Sequence, residues 1–239
     1  MTKTIYFPAC GFGFWYLLGK YSHIHNDTSN HILIGSSAGS LICFCSLIDR
    51  KYPLYETVEK CAIEVMDTYN RTHRIFNLYT IAWLFVHKLR LYIDETMVEE
   101  RLKQIQIQTT EVHIHGYKYI RRRTTPKTIE QLCELCIASC YIPFLSRHTN
   151  CLYYTIEGKR YIDGAFSDAV LPIGYPTFHT LRYAGIIMPD KTRVRKMYDD
   201  GVAEPFSPTD DTTFTILHLW LLFPNIVILF LQIYIKFSF

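Results

Sequence analysis

The first fifty residues carry the pattern of two successive strand–helix units. Residues Lys3–Phe7 alternate and are rich in strand-forming side chains, which predicts a strand that ends at the following proline. A glycine-bearing turn then leads into a predicted helix over 14–23. The short apolar run His31–Ile34 predicts a strand buried on both faces, and residues 40–47 predict a buried helix.

The middle of the chain, residues 54–106, is predicted to be helical. Its most apolar part, residues 75–93, is interrupted by polar and charged side chains, so the uncharged stretch is too short to cross a bilayer. This part is therefore expected to form a buried or lipid-facing amphipathic helix.

Strand patterns return in the second half. Residues 109–120 alternate and predict one or two strands. A helix is predicted over 125–139, with Pro126 at its first position. The segments 152–156 and 159–162 flank Glu-Gly and predict a hairpin.

Strands that alternate with helices in this way define the fold class. They predict a three-layer α/β/α fold with a mostly parallel central sheet. Residues 1–206 are expected to form this domain, and the polar stretch 207–213 to be a linker.

The C-terminal segment, residues 214–235, has 22 residues and no formal charge, which is long enough for a hydrocarbon core of about 30 Å. Pro224-Asn225 at its centre leaves two arrangements open: a kinked single span, which the length favours, or a monotopic hairpin. Either one predicts a membrane protein with its catalytic domain in the cytosol and a short tail, residues 236–239.

Composition and charge exclude several classes. An apolar content of 49% rules out a disordered chain, and a net charge of +3 gives no argument for nucleic acid. The eight cysteines lie mostly in apolar runs, which predicts buried free thiols in a reducing compartment. The basic cluster Arg121–Arg123 is expected to be a solvated loop or a contact for anionic lipid headgroups.

The run Gly35-Ser36-Ser37-Ala38-Gly39 is a G-x-S-x-G motif between an apolar strand and a helix. In that setting the serine sits on a sharp, strained turn, and the glycines let the chain and a substrate approach it closely. The helix directs its N-terminal amides and its dipole at the place where negative charge develops in acyl transfer. Ser37 is therefore the predicted nucleophile.

A serine nucleophile needs a base. Asp163-Gly164-Ala165 follows an apolar strand, where a catalytic carboxylate at the edge of a sheet is expected, although Asp-Gly alone often marks only a turn. His113 and His115 alternate on a predicted strand and are read as exposed or satisfied side chains rather than a metal pair. No histidine lies in a recognisable catalytic turn. The other candidate histidines are His73, His87, His148, His179 and His218.

Taken together, these residues resemble the patatin-like phospholipases, most of all the branch that contains adiponutrin and adipose triglyceride lipase. The resemblance rests first on a glycine-bearing loop after the first strand (Ala9-Cys10-Gly11-Phe12-Gly13-Phe14), on Gly35 to Gly39, and on Asp163 to Ala165. Residues Ala138–Pro143 and Tyr161–Pro172 match two further stretches of the family. The ordered set covers residues 3–175.

The resemblance implies a lipid-acyl hydrolase of the phospholipase A or acylglycerol lipase type that works through a Ser37–Asp163 dyad and an acyl-enzyme. The substrate is expected to be a phospholipid or an acylglycerol at a membrane or lipid-droplet surface, with no nucleic-acid partner. No metal or organic cofactor is expected. The oxyanion hole is assigned to Gly11, Phe12, Gly13 and Ala38.

One departure from the family keeps alternatives open. The family loop is typically G-x-G-x-x-G, and here Ala9 and Phe14 stand at its outer positions, with Gly13 displaced by one. A membrane-anchored pseudoenzyme or lipid-surface scaffold is the first rival. An α/β-hydrolase with a histidine triad is the second, and the short gap from Asp163 to His179 disfavours it.

Overall fold

The structure is a computed structural model that describes residues 3–26, 31–72, 76–113, 118–149, 151–167 and 190–204. The predicted linker 207–213, the apolar segment 214–235 and the tail 236–239 lie outside these residues, as do His73, His115, His179 and His218. The strands are β1 (Lys3–Phe7), β2 (His31–Ser36), β3 (Ile105–His113), β4 (Lys118–Thr124), β5 (Tyr154–Ile156) and β6 (Lys159–Ile162). The helices are α1 (Phe14–Ser22), α2 (Ala38–Cys45), α3 (Leu54–Thr72), α4 (Leu78–Leu89), α5 (Val98–Leu102), α6 (Ile129–Ser139) and α7 (Lys191–Ala203).

The predicted α/β fold with a central sheet is confirmed. Strands β1, β2 and β3 are parallel neighbours, whereas β4 and β6 both run antiparallel to β3. Because β5 is antiparallel to β6, it shares the direction of the first three strands. Four of the six described strands therefore point the same way.

One face of this sheet carries the hydrophobic core. In-register side chains of the three parallel strands, Ile5, Leu33 and Ile105, lie on it, and they pack with apolar side chains of α1, α2, α4 and α6. These helices form one layer of the predicted α/β/α arrangement. Tyr6 and Ile34, on the opposite face, are also buried.

Within the apolar stretch 75–93, residues Leu78–Leu89 form α4, and the apolar stripe of this helix is buried, which favours the buried alternative over the lipid-facing one. Ala82, Phe85 and Val86 on this helix are all buried. None of the helices in the described ranges is both long and apolar enough to cross a bilayer.

The hairpin between β5 and β6 is confirmed. Its two-residue turn, Glu157-Gly158, has positive φ at both positions, as a tight hairpin turn requires. The prediction of free buried thiols also fits the described chain, because the eight cysteines are free and seven of them are buried.

Helix α6 begins three residues later than predicted, at Ile129 rather than Pro126. The Thr128 hydroxyl accepts the Gln131 amide hydrogen, and the Gln131 side chain accepts that of Lys127. These two bonds cap the helix at Thr128, and the T-x-x-Q spacing, which resembles that of a capping box, was present in the sequence.

The basic cluster is a strand rather than a loop. Arg121, Arg122 and Arg123 lie in β4, and each donates a hydrogen bond within the domain: to the Ser167 carbonyl, to Glu111 and to the Gln108 side chain, respectively. The expected loop is therefore wrong, whereas the expected contact with lipid headgroups stays a prediction.

Helix α7 was not predicted, because the segment was read only as polar and charged. Asp190 caps its N-terminus, and the pairs Arg195–Asp199 and Lys196–Asp200 line its exposed side at helical spacing. The helix packs along α1, where the buried Lys20 ammonium donates to the Glu204 carbonyl and also pairs with the Glu204 carboxylate.

Candidate active site

The site is assembled at one edge of β3. Strand β4 pairs with β3 from Ile107 to His113, so β2 and β6, whose pairings overlap that range, must both use the other edge. They approach along it from opposite directions. The last residue of β2, Ser36, pairs with Gln108, and the last residue of β6, Ile162, pairs with Thr110. The residues that follow these two strands therefore meet.

Those residues are Ser37 and Asp163. The Ser37 hydroxyl donates a hydrogen bond of 2.6 Å to Oδ2 of Asp163. The serine is 9% exposed and the aspartate 2%, so the pair lies just beneath the surface. The structure thus joins two residues that are 126 positions apart in the chain.

Ser37 has the strained backbone that a nucleophile at a sharp turn requires. Its φ of 51° and ψ of −125° lie outside the regions that residues with a side chain usually adopt. Ser40 stabilises the turn, because its amide and its hydroxyl both donate to the Ser37 carbonyl. Ala38 is the first residue of α2, so its amide has no intrahelical acceptor and lies at the positive end of the helix dipole.

Two motif glycines are required by close approaches of the backbone. A Cβ atom at Gly39 would clash with the Phe7 carbonyl of β1. A Cβ atom at Gly164 would clash with the Gln108 carbonyl and with the Ser36 hydroxyl. These glycines let α2 and the turn after Asp163 sit directly against the strand ends.

Backbone and side-chain hydrogen bonds hold Asp163 on three sides. Its Oδ1 accepts the Ala165 amide hydrogen at 2.8 Å, which leaves Oδ2 for Ser37. Its own amide donates to the Tyr141 carbonyl, and its carbonyl accepts the Thr110 hydroxyl hydrogen. The carboxylate is therefore oriented before any substrate binds.

Ser139, at the end of α6, is a contact that sequence reasoning missed. Its buried hydroxyl accepts the Ser37 amide hydrogen at 2.8 Å and donates to the Gln108 carbonyl at 2.6 Å. It thereby joins the nucleophile turn to β3. Its segment matched the resemblance, but no local pattern indicates which distant amide a buried serine will bind.

The glycine-bearing loop lies beside the nucleophile turn, because β1 ends next to β2. Gly11 has a φ of +53°, which favours glycine, and it opens a 3₁₀ turn over Gly11–Gly13. The Gly13 amide donates to the Cys10 carbonyl in this turn, and its predicted role as an oxyanion donor stays a prediction. The amides of Gly11 and Phe12 open the turn and have no acceptor within it.

Two thiols lie near the dyad, Cys10 and Cys140. Burial raises the pKa of Cys10 well above its ordinary value, and the neighbouring Cys140 and Asp163 raise it further. Burial and Asp163 likewise raise the pKa of Cys140. Both thiols are therefore neutral at physiological pH and do not compete with Ser37 as nucleophiles.

A comparison with known protein families identifies the family of this chain. The family model for patatin-like phospholipases matches residues 10–175, a stretch that includes both Ser37 and Asp163. The chain belongs to the patatin-like phospholipase family. It has no significant match among curated proteins.

Membership in the patatin-like phospholipase family gives the general chemistry, because this is a family of lipid-acyl hydrolases. The matched region spans the loop from Cys10, the nucleophile turn and the turn after Asp163. The finer assignment to the adiponutrin branch stays a prediction.

Two of the described histidines, His148 and His113, make other contacts in this patatin-like domain. The His148 ring packs on Tyr79 and Tyr154, with ring centroids 4.6 and 5.5 Å apart. His113 pairs with the Glu111 carboxylate at 2.7 Å. Within the described ranges, no three His, Cys, Asp or Glu side chains are grouped as a metal site.

The first prediction concerns Ser139. The change Ser139→Ala leaves the Ser37 amide and the Gln108 carbonyl without this partner, and each buried loss costs about 1–3 kcal/mol. We expect a lower free energy of unfolding in urea and a kcat for lipid-ester hydrolysis reduced about tenfold or more, with KM nearly unchanged, because the serine is displaced.

The matched control is Ser46→Ala, which removes a buried hydroxyl that bonds only the Cys43 carbonyl at the far end of α2. It should leave kcat intact. Full kcat in Ser139→Ala would contradict the positioning role.

The second prediction concerns the loop at Gly11. Alanine at a φ of +53° is strained, so Gly11→Ala should shift the turn and lower kcat far more than it raises KM, because oxyanion donors act only as the charge develops. Loss of one such donor typically costs about 2.7–4 kcal/mol.

Gly158→Ala is the control for this change. Gly158 also has positive φ and open space around a Cβ, but it lies in the β5–β6 turn. Both variants should lose similar stability in urea unfolding. Equal kcat values for the two variants would show that the Gly11 loop has no part in the reaction.

Proposed function

We propose that this protein is a serine lipid-acyl hydrolase in which Ser37 is the nucleophile and Asp163 is its base. The hydrogen bond of 2.6 Å between the Ser37 hydroxyl and the Asp163 carboxylate is the observation that carries the proposal. A general base must lie within hydrogen-bond reach of the proton that it removes, and this one does so directly.

In the first half of the reaction, Asp163 takes the Ser37 proton as Oγ attacks the ester carbonyl carbon. The Ala38 amide, together with the amides of Gly11 and Phe12, stabilises the negative charge on the carbonyl oxygen. The bond to the alcohol then breaks, and the proton on Asp163 passes to the departing alkoxide. An acyl group remains on Ser37.

In the second half, Asp163 takes a proton from water, and the hydroxide attacks the acyl carbon. The fatty acid leaves as the bond to Ser37 breaks, and the proton returns to Oγ. This dyad mechanism uses no metal or cofactor. The strained φ of Ser37 supports it, because the strain holds Oγ clear of its own backbone and toward the carboxylate.

Family membership supports a lipid ester as substrate. We propose a phospholipid or an acylglycerol. The site favours neither, because the residues argued above act on the ester group that the two lipids share.

We also propose that the protein works at a membrane with its catalytic domain in the cytosol. The support is the sequence of residues 214–235, which carries no formal charge and leaves both a span and a monotopic hairpin open.

The rival function is a membrane-anchored scaffold without activity. It is favoured by the departure of the glycine loop from the family pattern at Ala9 and Phe14. It is opposed by the oriented carboxylate, because Asp163 is held through Ala165, Tyr141 and Thr110 in addition to Ser37.

The third prediction tests the dyad with purified full-length protein and a panel of labelled phospholipids and acylglycerols. Ser37→Ala and Asp163→Asn should each reduce hydrolysis by a factor on the order of 10³ or more, because nucleophile and base act as one unit.

Ser36→Ala is the matched control, since Ser36 is also buried in the same motif and its hydroxyl has no hydrogen-bond partner in the described structure. It and His148→Ala should stay within severalfold of wild type. Wild-type protein that hydrolyses no lipid in the panel would favour the scaffold. A loss in His148→Ala as large as that in Asp163→Asn would contradict the two-residue mechanism.

A further inference from the structure

Three large apolar side chains remain exposed on the loops that surround the dyad. Phe144 is 57% exposed, and Leu152 and Phe166 are each about half exposed. We infer that these three side chains, here called the apolar rim, dock the domain on the surface of the lipid aggregate that carries the substrate. The inference rests on the proposed function, because it names the surface from which that site draws its substrate.

Chain connectivity places the rim beside the dyad. The Asp163 amide donates to the Tyr141 carbonyl at 2.8 Å, so these two residues are adjacent. Phe144 follows Tyr141 by three residues, and Phe166 follows Asp163 by three. Three residues span at most about 11 Å, so both phenylalanines start close to the dyad. The Phe144 amide donates to the Cys151 carbonyl, which brings the neighbouring Leu152 to the same place.

Phe144 is held in a conformation that is costly for its side chain. Its φ of 67° lies in the left-handed region, where a bulky residue is an outlier that costs about 1–3 kcal/mol. Yet the ring gains little burial in return. A strained residue that presents an aromatic ring to solvent is explained if the ring is buried in another phase during function.

The charge around the rim fits a lipid surface. Residues 141–153 contain no aspartate or glutamate, whereas the cationic side chain of Arg147 is exposed there. Aromatic and aliphatic side chains flanked by basic ones insert at the boundary between headgroups and acyl chains, and the cations face lipid phosphates. Removing a carboxylate from water at such a surface would be unfavourable, and this segment has none.

A second group of basic side chains, on β4, makes hydrogen bonds within the domain. The arginines of β4 bond to the Ser167 carbonyl, to Glu111 and to Gln108. The rim is a place, among the described residues, where exposed apolar side chains and the exposed Arg147 lie next to the site.

The test compares Phe144→Ser with Leu91→Ser in the full-length protein. Leu91 is 72% exposed, more than Phe144. It lies on the other side of the domain from Ser37, because the nearby Ile93 pairs with Ile48, which follows the far end of α2. The two substrates are vesicles of phosphatidylcholine with phosphatidylserine, and a water-soluble short-chain ester that needs no surface.

We expect Phe144→Ser to lose about tenfold or more of its activity on vesicles, which is the effect of withdrawing one buried aromatic side chain from an apolar phase. Its activity on the soluble ester should change by less than about twofold, because the dyad is untouched. Leu91→Ser should match wild type on both substrates. Equal behaviour of the two variants on vesicles would overturn the docking role.

Hydrogen exchange separates this outcome from failure of the proposed function. On vesicles, the backbone amides around Phe144 and Phe166 should exchange more slowly than in solution, whereas those around Leu91 should not change. This protection is measured whether or not the protein hydrolyses any ester. Absence of protection at the rim in vesicle-bound protein would overturn the inference, even if the dyad proved active.

Discussion

Two strands of opposite direction end against the same edge of β3, at positions separated by a single residue. Strand β2 stops opposite Gln108 and β6 stops opposite Thr110, so the chain after each strand turns away from the sheet at the same point. Everything at the site depends on this head-to-head meeting. Backbone hydrogen bonds hold both strand ends against β3, so they fix the Cα positions of Ser37 and Asp163. The two side chains then meet between these positions.

At the same point, backbone amides leave the sheet and need other hydrogen-bond acceptors, which neighbouring groups supply. A strained turn at Ser37 and a turn at Asp163 both take backbone groups out of the sheet ladder, and an unpaired buried amide costs free energy. The end of α6 satisfies one amide from each side, through the Ser139 hydroxyl and the Tyr141 carbonyl. The end of this helix therefore contacts both Ser37 and Asp163, and the segment after it carries the Phe144 loop.

The sequence predicted what depends on local pattern. Strand β1, the strand–turn–helix around Ser37 and the β5–β6 hairpin follow from periodicity, glycines and length. The pairing of Ser37 with Asp163 came from the ordered resemblance to a family, because an Asp-Gly far along the chain is by itself only a turn signal. The 3₁₀ turn over Gly11–Gly13, in which the Gly13 amide donates to the Cys10 carbonyl, could not be foreseen from spacing.

What the sequence missed depends on partners that are distant in the chain. The three arginines of β4 looked like a solvated run, since nothing near them indicates that Ser167, Glu111 and Gln108 will be their acceptors. Helix α7 does carry apolar residues at helical spacing, Val194, Met197 and Tyr198, but charged residues separate them and its buried partner, α1, is distant in the chain.

The central claim is that the strand ends create a nucleophile at Ser37 that Asp163 activates. The most direct measurement is the site of covalent labelling by a fluorophosphonate, located by mass spectrometry of the digested protein. The account predicts one adduct, on Ser37, in the wild-type protein, and strongly reduced labelling in Asp163→Asn. An adduct on another residue, or undiminished labelling of Ser37 in Asp163→Asn, would contradict it.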